Sequence, residues 1–214
     1  MTYASTPELL VLHGIRASGM ARATAISQRT GIAEDKVTEL LGDFEAYGWV
    51  THVAFGDTSG WTLTERGRDE DGRRLAAELD RAGARHAVEQ GHAIFETLNG
   101  RLVKACTDWQ LRPTAGDRLA TNDHRDTQWD EGVLDELTTL DGELKELIAA
   151  LAVVLARFGD YHERFSSALA RARAGEQQWV AGIGVPSCHA VWMELHEDLL
   201  STLGIPRDAN RGDR

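Results

Sequence analysis

The stretch Thr24–Arg68 constrains the fold more than any other part of the chain. Ile26, Ser27, Thr30, Gly31, Ile32, Val37 and Leu40 have the spacing of two short helices crossing at a sharp turn. Gly31 is the turn residue, and Ser27 is small enough to let the helices approach. Ile26, Ile32, Val37 and Leu40 then point into a shared core. Trp49–Phe55, rich in aromatic and β-branched residues, reads as a strand; Gly56–Gly60 reads as a turn and Trp61–Leu63 as the returning strand. Upstream, Pro7 opens a supporting helix that runs through Leu9, Leu12, His13 and Ile15 to Gly19. Ala23–Arg29 and Glu34–Tyr47 form the crossing pair, the second with a buried stripe of Val37, Leu40, Leu41 and Phe44. Thr64 is the expected N-cap of the helix that follows the hairpin.

Two phrases, VTELLGDFEAYGWV at 37–50 and LTERGR at 63–68, sit in this order of helices and hairpin. Together they resemble the winged helix-turn-helix domain of MarR-type bacterial transcriptional regulators, over Pro7–Arg74 or roughly a third of the 214 residues. The resemblance implies a homodimer that places two third helices on a palindromic operator in double-stranded DNA. Lys36, Thr38 and Glu39 would reach base edges, and Arg16, Arg22, Arg29, Arg66 and Arg68 would hold phosphates. One functional position departs from the family: the wing tip Gly56–Gly60 has no Arg or Lys. The formal net charge of -11 also excludes loose attraction to nucleic acid or anionic lipid. Up to Arg74 the chain has eight basic residues against eleven acidic ones, nearer neutral than the remainder but not basic.

From Arg66 onward the chain reads as helical, interrupted at Gly83. Between Arg85 and Leu111, Val88, Phe95, Leu102 and Trp109 recur every seven residues with Gly91, Leu98 and Ala105 between them, a seam for another long helix. Pro113–Asp130 is a long polar connection. Leu134, Leu137, Leu144, Leu147, Leu151, Leu155 and Phe158 then form one apolar face ended by Gly159. Tyr161, Phe165, Leu169 and Ala172 outline a further helix, and Pro186 and Ser187 open the last, which runs to Leu203. The expected architecture is mostly α: a winged helix-turn-helix domain with a small β-hairpin over 1–75, followed by a helical bundle over 76–214 for ligand sensing and dimerisation.

The bundle offers Trp109, Trp129, Trp179 and Trp192, with Phe95, Tyr161 and Met193, as the apolar wall of a small-molecule pocket. Arg112, Asn122, Asp123, His124, His189 and His196 would orient an unidentified effector. The alternative is that the aromatics fill the bundle core. His189 and His196 lie about 10.5 Å apart along one helix, too far to share an ion, so no metal or other cofactor is assigned. Cys106 and Cys188 lack CxxC spacing and read as buried thiols; a redox role would need an accessible thiolate. No phosphate loop, nucleophile elbow or metalloprotease motif is present, so the reading is non-enzymatic. Asn122–Asp126 reads as a polar turn, with general acid–base groups as the alternative. Neither a membrane span nor a secretory leader is recognisable, which gives a cytoplasmic expectation with no membrane partner. The function expected is a ligand-responsive DNA-binding transcriptional regulator; the alternative is a winged-helix adaptor that contacts protein and not DNA.

Overall fold

A computed structural model describes residues 2–56 and 58–206. It is mostly helical, with a two-stranded antiparallel sheet. Helix α1 (Pro7–Ser18) starts where Thr6 Oγ1 accepts from Leu9 N at 3.3 Å, with Pro7 in the first turn. Helix α2 (Ala23–Thr30) stops at Gly31, whose φ of 69° is the left-handed conformation a side chain resists. Ser27 does more than save space in this turn: its hydroxyl donates to Ile32 O at 2.7 Å and ties the end of α2 to the start of α3 (Glu34–Ala46). Strands β1 (Val50–Phe55) and β2 (Thr58–Leu63) pair from Val50↔Leu63 to Phe55↔Thr58. β2 thus begins three residues before the start expected at Trp61 and shortens the turn; Asp57 lies outside the described residues. Helix α4 (Glu65–Ala82) is capped by Thr64, which accepts from Gly67 N at 3.0 Å.

Two compact units result. The first contains the described residues up to Val88, Val154–Arg157, and those from His196 onward. The boundary expected after residue 75 falls inside unbroken α4, because Leu75 and Leu79 continue its buried face. The apolar core of this unit gathers Leu12 and Ile15 from α1, Ile26 from α2, Val37, Leu40, Leu41 and Phe44 from α3, and Val50 and Leu63 from the hairpin. Ile32, expected in that core, is only partly buried at its rim.

The second unit contains most of α5 (Arg85–Gln110), then α6 (Thr127–Ala152), α7 (Tyr161–Arg173), α8 (Gln178–Ala181) and the first half of α9 (Cys188–Leu203). The α5 seam is buried at Val88, Phe95, Leu102 and Trp109 and at Gly91, Leu98 and Ala105 between them. A Cβ on Gly91 would fall 2.7 Å from Leu151 Cδ2, so the missing side chain lets α6 come close. α6 starts within the expected loop because Asp126 caps it, accepting from Trp129 N at 3.2 Å. Its buried stripe is Val133, Leu137, Leu140, Leu144, Leu147, Ile148 and Leu151, with Leu134 half-exposed. The helix ends at Ala152, six residues before the expected stop, and Ala156–Phe158 is a separate 3-10 turn.

The first unit also encloses a charged cluster whose members are distant in sequence. His13 of α1 lies 3.3 Å from Asp71 of α4 through Nδ1, and 3.2 Å from Asp198 of α9 through Nε2. Arg16 reaches Asp71 at 3.2 Å and Glu197 at 2.9 Å. Arg157 binds Glu78 Oε2 at 2.8 Å, Thr202 Oγ1 at 2.6 Å, and Asp198. Burial alone would lower the His13 pKa, but Asp198 and Asp71 outweigh it and raise it to about 9. A raised folded-state pKa stabilises fully below the unfolded value near 6.5 and is lost as pH rises through about 9. Denaturant titrations should therefore show stability falling from pH 7 to pH 10 by about 3 kcal/mol, with that slope largely absent in His13→Gln. An equal slope in the variant would assign the fall to other groups.

Candidate nucleic-acid face and ligand cleft

Helix α3 buries Val37, Leu40, Leu41 and Phe44 and leaves Glu34, Asp35, Lys36, Thr38, Glu39, Asp43 and Glu45 exposed. The exposed face is acidic, and its one cation is engaged: Lys36 Nζ bonds Glu39 at 2.8 Å. Of the phosphate-binding candidates, Arg16 is displaced from that role. Its side chain is 20% exposed and committed to Asp71 and Glu197, a pairing with residues 55 and 181 positions away. Arg22 donates to Ser59 O near the tip of the hairpin, one residue pair from Phe55, and Arg29 donates to Ser18 Oγ at 3.4 Å. Arg66 and Arg68 are exposed in the first turn of α4. Arg66 lies beside Gly48, so it neighbours the end of α3 opposite Lys36. Two large apolar side chains of the first unit are exposed as well: Phe55 at the hairpin apex at 92% and Tyr47 after the end of α3 at 57%.

The ten expected ligand-binding residues separate into different environments, nine of them in the second unit. Phe95, Tyr161 and Trp192 are fully buried; Phe95 stacks on Trp192 at 4.9 Å, and Trp192 Nε1 donates to Asn99 at 3.1 Å. They are core, because apolar faces of α5, α7 and α9 close over them. Trp179 lies under the Arg171 guanidinium at 3.9 Å. His189 is half-buried beside Cys106 at a small cavity of about 160 Å³, and burial lowers its pKa. His196 falls in the half of α9 assigned to the first unit. Burial pushes both Cys106 and Cys188 up to about 12, which leaves them as thiols at neutral pH.

Trp109, Arg112, His124 and Trp129 converge around the loop between α5 and α6. Asn122 is 5% exposed and organises that loop: its Nδ2 donates to Trp109 O at 3.1 Å and Asp130 Oδ1 at 2.7 Å, while its Oδ1 accepts from His124 N at 3.1 Å. His124 has a φ of 57°, the one positive value among described non-glycine residues. Such a conformation costs about 1–2 kcal/mol and persists where surroundings over-determine it. Here the ring packs on Trp109 at 4.6 Å and Nδ1 lies 2.9 Å from Asp130 Oδ2. Asp126 caps α6 and pairs with Arg112, and Trp129 Nε1 donates to Asp108 O at 2.7 Å.

This framework walls a cleft of about 340 Å³ lined by Trp109, Gln110, Thr121, Asn122, His124, Gln177, Gln178, Ala181 and Gly182. In the neutral imidazole, a proton on Nδ1 directed at Asp130 makes Nε2 an acceptor. Nε2 has no protein partner among the described residues. A larger groove of about 480 Å³ runs along α5 and α6 past Trp129, but ion pairs occupy its rim: Arg101 with Glu136, and Lys104 with Asp108. The smaller cleft therefore offers more uncommitted recognition chemistry. Among the described residues, no helix is long and apolar enough to cross a membrane. The chain matches no family model, no curated protein and no solved structure.

Proposed function

We propose that the protein is a ligand-responsive DNA-binding transcriptional regulator whose first unit is a winged helix-turn-helix. The observation that carries this reading is the disposition of α3: four side chains anchor it, its opposite face is exposed, and a hairpin follows directly. Lys36, Thr38 and Glu39 are the base-reading candidates, with Arg22, Arg29, Arg66 and Arg68 for phosphates; Arg16 is excluded by its ion pairs. A homodimer is proposed because two such heads on one operator raise both affinity and specificity. The effector belongs to the cleft at His124 in the second unit.

Footprinting on the gene's own upstream region at low salt tests the reading. A protected palindrome is expected, with a log–log salt slope that becomes shallower by about 1 on Arg66→Ala and again on Arg68→Ala. No protected site, or a site indifferent to both changes and to Lys36→Ala, rejects it. A second reading, a protein-contacting adaptor, is favoured by the acidic α3 face and by exposed Phe55 and Tyr47.

A further inference from the structure

We propose that the His124 cleft binds a neutral, hydroxyl-rich ligand of monosaccharide or disaccharide size. The inference builds on the sensing role given above to the second unit, and it follows from the lining of the cleft, which among the described residues holds no Asp, Glu, Lys or Arg. Both oxygens of Asp130 are used, Oδ1 by Asn122 and Oδ2 by His124. Asp126 is held by Arg112, and Glu176, next to Gln177, is held by Arg171 at 2.6 Å. A ligand cation meets no uncommitted carboxylate, and a ligand anion meets no uncommitted guanidinium. A charged ligand would find no counter-charge among the lining residues to offset the hydration it gives up on contact.

The groups that remain are neutral and bifunctional. Gln110, Gln177 and Gln178 line the cleft, and their side-chain amides have no partner among the described residues. Each amide offers an acceptor and two donors, the Thr121 hydroxyl offers both, and the His124 ring adds a further polar group. Vicinal hydroxyls both donate and accept, so one sugar face matches this mixture in several rotamers. Trp109, Ala181 and Gly182 give the cleft a largely apolar surface for ring C–H groups. The volume of about 340 Å³ is at the small end of ligand pockets, which suits one or two sugar rings. The left-handed His124 backbone has a role in this account, because it holds the ring in the wall of the cleft before any ligand arrives.

Saturation-transfer NMR on the intact protein without DNA is the test, using glucose, galactose, maltose and sucrose at millimolar concentration, beside glucuronate, glucosamine and adenosine. Transfer is expected to at least one neutral sugar and to be lost in Gln178→Ala and in His124→Asn. Asparagine tolerates the left-handed backbone, so the second variant is compatible with the φ at this position while removing the imidazole and its contacts with Trp109 and Asp130. Unchanged thermal melting of both variants identifies the loss as one of binding. Absence of transfer to every neutral sugar, transfer only to glucuronate, glucosamine or adenosine, or transfer that survives both substitutions overturns the proposal. Because DNA is absent from the measurement, a protein that binds sugar but no operator fails only the regulatory reading, and the reverse result fails only this one.

Discussion

Gly67→Ala is expected to lower the melting temperature of the protein by roughly 5–12 °C, the equivalent of about 3 kcal/mol, although it adds one methyl group. A Cβ at this position would lie 1.9 Å from Trp49 O and 2.8 Å from Trp49 C. Those atoms are backbone, so no rotamer change relieves the contact. The same carbonyl accepts from Thr64 N at 2.9 Å and from Thr64 Oγ1 at 3.1 Å, and Thr64 also bonds Gly48 O at 2.7 Å. Moving α4 away from Trp49 stretches these bonds and the cap of α4 together. Gly72→Ala on the same helix is the control: a Cβ there meets nothing within 4 Å, so the change should stabilise by about 0.5–1 kcal/mol. Thermal unfolding of the two variants, followed by far-UV circular dichroism, gives opposite shifts. Equal shifts in the same direction would remove the close approach of α4 to Trp49 as the reason for Gly67.

Local signals made the first unit legible. Pro7, Gly31 and Thr64 act within one turn of where they sit: α1 begins at Pro7, α2 ends at Gly31 and α4 begins after Thr64. Thr58, Ser59 and Gly60 have turn composition and predict a later start for β2; pairing with β1, and the bridge between Trp61 and Ala21, override that preference. α6 likewise stops at Ala152, before its apolar period ends. Leu155 and Phe158 continue an apolar period, yet Leu155 bridges Tyr3 near the chain start, a partner that no periodicity reveals.

The candidate sites were less legible because their deciding contacts are long-range. Arg16 has the composition of a phosphate contact, and its partner Glu197 lies 181 residues away. Trp192 and Phe95 have the composition of a ligand pocket, and a stacking contact with each other satisfies them. Trp109 and His124 were recoverable as candidates, since a tryptophan at a helix end and a polar cluster in a long loop both attract attention. Their convergence depends on Asn122, whose amide links the end of α5, the loop and the start of α6. Sequence spacing gives no sign of that geometry.

Arg157→Ala should be the most damaging single change in the first unit, costing about 3–5 kcal/mol. Arg157 is 3% exposed, as are Glu78 and Asp198, which its guanidinium joins. Burial by itself would raise the Asp198 pKa, yet Arg157 and His13 hold it well below the ordinary carboxylate range. Without the guanidinium, Glu78 loses its ion-pair partner at Oε2, Asp198 retains His13, and Thr202 loses a bond of 2.6 Å. The damage comes from stranded carboxylates more than from lost attraction, and that distinction is measurable. Arg157→Ala should be rescued in part by Glu78→Leu in the same chain, because the second change removes one of the stranded charges. Arg157→Lys should fall between, retaining charge but losing the multi-pronged geometry. In urea titrations at pH 7, a loss below about 1 kcal/mol in Arg157→Ala, or a double variant less stable than the single, would show that the buried cluster does not hold α4, residues 154–157 and the end of α9 together.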